Sequence, residues 1–431
     1  MEKQIAFCAF LTIALGVFAY TALRLASFFR LTKKSFEIDK IGDRISILLR
    51  VAFGQTKILR RPLIGLLHAL VYWGFLVITI GSAEMVFDGL FGTERVLGSL
   101  GVFYDFVSAS GDLFAAIIIF ACIVFLARRH ILNIKRFSGV EMTAKSKLDA
   151  ALALTMILLL MVSLLGMNVG YMMEYPDSYC GSFPISSSLI GLFPNDIAHF
   201  IHEINWWAHI VLIFLFLNIL PYSKHFHIIM SMPNVFLTNM KPMTQLNNME
   251  SVTNEVKLMM DPNTVFATPL EDAPPPERFG VKDIEDITWK NYVDSLTCTE
   301  CGRCTSVCPA NITGKLLSPR KIMVDVRKRM NHKGPSLAKD NTYDDGKALV
   351  GDYISTEELW ACTTCNACVQ ECPVNIDHVS LIVDMRRNLV MEESNAPSEL
   401  VQMFSNIENN GSPWQFSPDD RMNWSIGIKN G

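Results

Sequence analysis

The stretch Cys298-Thr299-Glu300-Cys301-Gly302-Arg303-Cys304-Thr305-Ser306-Val307-Cys308-Pro309 returns 64 residues later as Cys362-Thr363-Thr364-Cys365-Asn366-Ala367-Cys368-Val369-Gln370-Glu371-Cys372-Pro373. Both copies read C-x2-C-x2-C-x3-C-P, the run that holds a pair of cubane [4Fe–4S] clusters. Each iron of a cube needs one thiolate, and three cysteines two residues apart wrap three corners of it. The fourth ligand comes from the other run in two-cluster proteins of this kind. That assigns Cys298, Cys301, Cys304 and Cys372 to one cluster, and Cys362, Cys365, Cys368 and Cys308 to the other. Structural zinc also uses C-x2-C pairs, but it needs only four ligands and gives no reason for the third step or the prolines. The expected chemistry is one-electron transfer. Cys8, Cys122 and Cys180 stand alone, two of them in apolar runs where a thiol acts as a packing group.

The rest of the chain divides sharply. It has 431 residues and a formal net charge of −4, with no basic excess to suggest nucleic acid as a partner. Five apolar stretches, about 5–29, 62–83, 110–127, 148–170 and 204–223, lie in the first 230 residues. Each is near the roughly 20 residues a helix needs to cross a bilayer. The first lacks a small-residue cleavage site and has its arginines at the far end, unlike a signal peptide. Loop 30–61 carries Arg30, Lys33, Lys34, Lys40, Arg44, Arg50, Lys57, Arg60 and Arg61, and loop 128–147 is also basic. Loops 84–109 and 171–203 hold only Arg95 among bases. The positive-inside rule then puts the N-terminus outside and everything after Lys224 in the cytoplasm. A reducing cytoplasm suits free thiols.

Seven of the nine histidines lie in the membrane half, and ionisable side chains at bilayer depth are functional by default. His209 and His227 bracket the fifth stretch. On one unbroken helix their 18-residue spacing is five turns, a separation of about 27 Å on one face. Such a pair suits stacked haem b sites, since haem iron takes axial histidines from facing helices. His68 and His227, both near the cytoplasmic end, form the natural pair for one haem. His209 needs a partner from elsewhere. His202 shares its helical face, whereas His199 could face it if the preceding loop folds back. His225 and His130 read as interfacial, unless a kink at Pro221, inside the last stretch, swaps the roles of His225 and His227. A quinone exchanging electrons here also needs protons, for which Glu84, Asp112, His202 and Tyr72 are candidates.

The segment from His209 to Pro221-Tyr-Ser-Lys-His-Phe-His227, with Leu67-His68, resembles the nitrate reductase gamma subunit family, a five-helix di-haem b cytochrome. That family has a further histidine ten residues after the first; here the position is Ile78. The second half, from Phe279-Gly280 through Thr288-Trp289-Lys290, Thr313-Gly314-Lys315, Leu359-Trp360-Ala361 and Asp384-Met385-Arg386-Arg387, is similar to iron–sulfur subunits of the heterodisulfide reductase and glycolate oxidase type. The fusion resembles membrane-bound Fe–S oxidoreductases that link flavoproteins to menaquinone. In that family cysteine-rich CCG modules follow; none occurs here.

These readings give a mainly α protein: a five-helix transmembrane cytochrome b bundle, then a cytoplasmic α-helical ferredoxin-type domain with two [4Fe–4S] clusters. The expected divisions are 1–230 for the haem b bundle, 231–290 for a linker stiffened by Pro274-Pro275-Pro276, 291–395 for the two-cluster domain and 396–431 for a docking tail with Trp414, Phe416 and Trp424. The resemblance implies a quinone-linked electron-transfer subunit of the bacterial inner membrane. Its cofactors would be two [4Fe–4S] clusters and one or two haems b, with menaquinone as substrate. A CCG-type iron–sulfur subunit or an electron-transfer flavoprotein would be the partner. The alternative is a membrane polyferredoxin used in redox sensing or metal-centre assembly without haem.

Overall fold

A computed structural model describes residues 1–132, 134–261 and 278–428. Helices of nine residues or more are labelled in order: α1 Glu2–Phe28, α2 Pro62–Phe91, α3 Val102–His130, α4 Ala144–Glu174, α5 Ala198–Ile219, α6 His227–Phe236, α7 Glu250–Met260, α8 Trp289–Thr297, α9 Pro319–Leu337, α10 His378–Met391 and α11 Ser398–Asn410. No strand forms among the described residues beyond two isolated bridges. The expected Pro274-Pro275-Pro276 spacer lies outside the described residues.

α1 to α5 are long and apolar enough to cross a membrane. α2 starts with Pro62 at its first turn, where a missing N–H costs nothing, and stops at Gly92, whose φ of +70° suits a residue without a Cβ. α4 is the central helix, packed along both α5 and α3. The α4–α5 approach is close enough that a Cβ on Gly170 would meet the backbone of His202 at 2.4 Å.

The fifth stretch is not one straight helix. α5 ends at Ile219, two 3-10 turns follow, and α6 begins at His227. Pro221 offers no N–H to continue the ladder. Ser223 is extended, at ψ 153°, and its hydroxyl accepts from the His225 N–H. The expected single face joining His209 and His227 is therefore broken between them.

The dicluster half sits on one end of the bundle, called here the inner end. Its core of Ile284, Ile287, Tyr292, Ile322, Met323 and Leu381 also takes in Leu25 and Phe28 from the end of α1. Phe29 meets Tyr292 edge-on at 4.8 Å between ring centroids. The Lys33 N–H donates to the Ile287 carbonyl (2.8 Å), and the Trp289 N–H returns to the Lys33 carbonyl (3.0 Å). The stretch expected as linker is partly structured. α6 runs to Phe236, and Asn234 donates to the Val374 carbonyl. Buried Arg44, in the short helix Ile41–Ile47, ties that helix to the end of α6 through the carbonyls of Phe236 and Thr238. α9 runs on past the basic group Arg327-Lys328-Arg329 to Leu337. Pro335 falls in its last turn, where only one bond of the ladder is lost.

Candidate redox centres

The two cysteine runs fold alike. Glu300 and Gly302 in the first run have positive φ, and so do Thr364 and Asn366, their counterparts in the second. These left-handed kinks turn backbone N–H groups toward sulfur. The Thr364 N–H reaches Cys362 Sγ at 3.4 Å, and that of Ile376 reaches Cys372 Sγ at 3.4 Å. At Gly302 a Cβ would lie 2.6 Å from the Arg136 carbonyl oxygen, so only glycine lets the loop lie flat on the segment joining α3 to α4.

The thiols meet across the runs. Cys372 lies within electrostatic reach of Cys301 and Cys298, and Cys304 neighbours the same two and Cys372. Cys368 neighbours Cys362, Cys308 and Cys365. Burial pushes the Cys298 thiol up to about 11 and the Cys372 thiol up to about 12, and raises Cys304 and Cys368 as well. Thiolates at these positions need a positive body among them, which iron supplies. The residues fit two cubes.

Charged groups hem in the first site. Glu300 accepts from Arg327 (2.5 Å) and Lys224 (3.3 Å), and from the hydroxyl of Ser146. Burial alone would raise its carboxyl, but Arg327 and Lys224 outweigh burial and hold it below the usual range. Arg327 also donates to the Cys298 carbonyl at 2.8 Å. Beside the second site, Arg386 donates to the carbonyls of Leu359 and Cys362. Cys365 is the exposed member of the eight.

The first site abuts the membrane half. Arg303 donates from Nη1 to the Lys57 carbonyl (2.9 Å) and from Nη2 to that of Ile58 (3.2 Å). Lys57 donates to the Cys372 carbonyl (3.1 Å), and Arg61 pairs with Glu371 (3.0 Å). These contacts seat the first thiol set on the entry to α2, directly above His68. The His68 ring lies within electrostatic reach of His227 and Arg303, and its Nδ1 is shielded from water without a partner. The His225 and His227 rings are 5.9 Å apart. His227 Nδ1 donates to the Lys224 carbonyl (3.1 Å), which leaves Nε2 for a metal. His225 Nδ1 is taken up with Ser223 Oγ at 3.0 Å and Asp149 at 3.9 Å. A shielded, partnerless imidazole near an oriented one fits an iron-binding pair; His225, expected to be interfacial, is mostly buried beside them with its Nδ1 already engaged.

His209 is apart from this group. It is 1% exposed, and its Nδ1 donates to the Leu160 carbonyl (2.9 Å) with Ser163 Oγ at 3.0 Å. The loop before α5 does not fold back. His199 and His202 both lie on α5 with His209 and bond the two oxygens of Glu174, at 2.9 and 2.8 Å. Neither faces His209, so the residues present do not fit a second bis-histidine haem. Glu84 and Asp112 are spent on structure. Glu84 accepts from the Leu97 N–H and the Tyr104 hydroxyl, and Asp112 from the N–H groups of Ile185 and Ser186. The hydroxyl of Tyr72, one turn beyond His68, is buried without a partner.

Sequence reasoning missed Arg303, Lys57 and Lys224 as neighbours of these centres. The only signal was their position, Arg303 between two ligands and Lys57 and Lys224 at basic boundaries. The aromatics of the expected tail, Trp414, Phe416 and Trp424, are all exposed.

Comparison with known proteins agrees with the cysteine reading. Residues 297–376 match the family described as "4Fe-4S dicluster domain". The chain is similar to "Probable iron-sulfur-binding oxidoreductase FadF" of Bacillus subtilis (strain 168), 28% identical over 95% of this chain and 59% of that one. It is also 28% identical to "EtfAB:quinone oxidoreductase" of Syntrophomonas wolfei subsp. wolfei, over 90% of this chain and 54% of that one. A shorter match, 36% identical over 38% of this chain and 26% of the other, is to "Probable membrane-anchored ferredoxin" of Chromohalobacter salexigens. The chain thus spans little more than half the length of the first two relatives. No solved structure matches it. The chain thus joins a stretch similar to a 4Fe-4S dicluster domain to five helices long and apolar enough to cross a membrane, and it is similar over most of its length to iron–sulfur and quinone oxidoreductases.

Proposed function

We propose that the chain carries electrons between a soluble flavoprotein or CCG-type iron–sulfur partner and a membrane quinone of the menaquinone type. The crossed cysteine sets would hold two [4Fe–4S] clusters, and His68 and His227 would hold haem b, which together would supply the one-electron steps. The observation that carries this reading is the seat of Arg303. It joins the first thiol set to the Lys57 and Ile58 carbonyls at the head of α2, beside the His68 ring. The metal centres supply one-electron storage when bound. The chain's own residues set the order. Cys365 leaves the second site open to a docking partner, while Lys57, Arg61 and Arg303 clamp the first against the bundle. His227 holds its ring through the Lys224 carbonyl, and the buried Glu300–Lys224–Arg327 group fixes charge between the two halves. The quinone oxidoreductase among the relatives supports this direction. In this reading residues 1–230 are a haem bundle akin to the nitrate reductase gamma subunit, 291–395 are the two-cluster domain, 396–431 dock the partner, and the inner end faces the bacterial cytoplasm.

The membrane-anchored ferredoxin relative favours a second reading, a polyferredoxin without haem. An optical spectrum of purified protein in detergent separates the two. The proposal expects reducible b-type haem bands, about eight non-haem irons per chain, loss of the bands in His68→Ala and His227→Ala, and their retention in His225→Ala. A folded protein with iron and no haem bands would favour the polyferredoxin.

A further inference from the structure

The far half of the bundle holds a cavity of about 290 Å3 between α1, α2, α3, α4 and α5. Val77, Ile78, Leu164, Met167 and Trp206 line its walls, His209 lies among them, and Lys3, Glu94 and Glu203 also line it. Glu94 is exposed, and Lys3 and Glu203 pair with side chains 42% and 31% exposed, so these three mark its mouth. Two polar atoms here have no protein partner. Gln4 Oε1 is buried and unbonded. His209 has its Nδ1 anchored on the Leu160 carbonyl, and Nε2 bonds nothing among the described residues. The other polar groups nearby are committed: Glu84 and Asp88 hold the 93–97 turn, and Arg95 donates to Asn168 Oδ1 at 2.8 Å and to the Tyr104 hydroxyl at 3.2 Å.

A haem in this place would need a second axial imidazole from another helix, but the other lining histidines, His199 and His202, share α5 with His209, and Ile78, on α2, is apolar. Polar side chains are many in the lining but mostly bonded to one another, and what is left free matches a flat ring with a polar atom at either end: apolar walls and few uncommitted hydrogen-bonding groups. We propose that this cavity takes the ring of the quinone and that His209 is its proton-exchanging residue. This deepens the function proposed above and rests on it. With Nδ1 donating to a carbonyl, Nε2 can accept or deliver one proton at an oxygen of the ring. In the reducing direction the quinone gains two electrons, delivered singly from the clusters by way of the inner half and drawn from a reduced soluble flavoprotein. It gains two protons, one on each ring oxygen. Both protons come from water at the Lys3–Glu203 mouth: His209 Nε2 takes up one and relays it to the nearer ring oxygen, and the other goes directly to the second oxygen. The product leaves as quinol, and oxidation reverses each transfer. Ile78 stands ten residues beyond His68, about 15 Å along α2, so the ring is carried well toward the far side.

The test combines haem stoichiometry with quinone reactivity in the full-length protein, using a short-chain naphthoquinone. The wild type should bind one haem per chain. His209→Gln should keep that haem while quinone-dependent reoxidation falls about 100-fold or more. Ile78→His should gain a haem and lose quinone reactivity. Two haems in the wild type, or haem loss in His209→Gln, would overturn the proposal. Unchanged reoxidation in His209→Gln with loss in Tyr72→Phe would overturn it as well, by moving the quinone to the inner end. If the protein proves haem-free, the function above fails, but quenching of Trp fluorescence by the naphthoquinone still decides the cavity. Affinity at least tenfold weaker in His209→Gln supports it, and equal affinity refutes it.

Discussion

Removing the carboxylate of Glu141 should loosen the dicluster half from the bundle. Glu141 lies in the segment between α3 and α4 and is 4% exposed; Arg320, in the first turn of α9, is fully buried. Glu141 Oε1 accepts from Arg320 Nε at 2.7 Å and from the Ser318 hydroxyl at 2.6 Å. The rest of the guanidinium goes to neutral carbonyls, those of Arg136 (2.7 Å), Ser138 (2.9 Å) and Glu300 (3.4 Å). In Glu141→Ala the guanidinium stays buried with no counter-charge. Breaking one side of a buried pair costs about 3–5 kcal/mol. At about 1.4 kcal/mol per decade that is roughly two to three and a half decades in the population of the opened state. Amide hydrogen exchange over residues 318–323 of the intact protein reads this directly. Arg320→Met alone should cost less than Glu141→Ala, and Glu141→Ala/Arg320→Met should recover much of the loss, because no unpaired charge remains. A single variant that speeds exchange less than tenfold, or a double variant whose cost is the sum of the singles, would refute the argument.

Crossed ligation predicts that Cys372→Ser changes the same electron paramagnetic resonance signal as Cys298→Ser, and Cys308→Ser the same signal as Cys362→Ser; uncrossed pairing inverts this. Phe28→Ala should destabilise the dicluster core by about 3–5 kcal/mol, since Phe28 is 1% exposed within it, and proteolysis of the detergent-solubilised chain should then cut near Lys33 faster. Glu141, Glu300 and Asp345 all have carboxyls held below the usual range. Burial opposes this at Glu141 and Glu300 but is outweighed by Ser318 and Arg320 at one and by Arg327 and Lys224 at the other, and Arg329 does it at Asp345. A lowered folded value means the unfolded chain binds more protons. Their stabilisation is therefore present above about pH 4.3 and drains away as pH falls through the folded values. Protection at 318–323, corrected for the intrinsic pH dependence of amide exchange, should fall on acidification below that point and stay level between pH 6 and 8 as far as these groups govern it; greater protection in acid would contradict it.

Much of this was legible in the chain because the signals are local. The cysteine spacing names its iron chemistry within twelve residues, and length and apolarity mark the five membrane helices. The seating of one half on the other was not legible. Arg303 reaches Lys57 and Ile58, Arg320 reaches Glu141 and Arg136, and Phe28 enters a core built from residues beyond 280. No periodicity encodes such long-range pairs. A basic residue in an inner loop reads equally well as a topology signal or as one half of a buried pair. The break after Ile219 was only half visible. Pro221 announces a disturbance, but the extended Ser223 decides that His227 starts a new helix. The fate of Glu84 and Asp112 shows the same limit, since a carboxylate at bilayer depth can serve backbone N–H groups as readily as chemistry.

The plugging of α1 into the dicluster core makes that half a fixed terminal rather than a carrier swinging on a tether. A hinged domain could shuttle its charge over tens of ångströms. One keyed to the first membrane helix by Leu25 and Phe28 and latched at Lys33 has to be visited. Biogenesis is constrained as well: α1 waits, its aromatic end unpaired, until the residues beyond 280 arrive to enclose it.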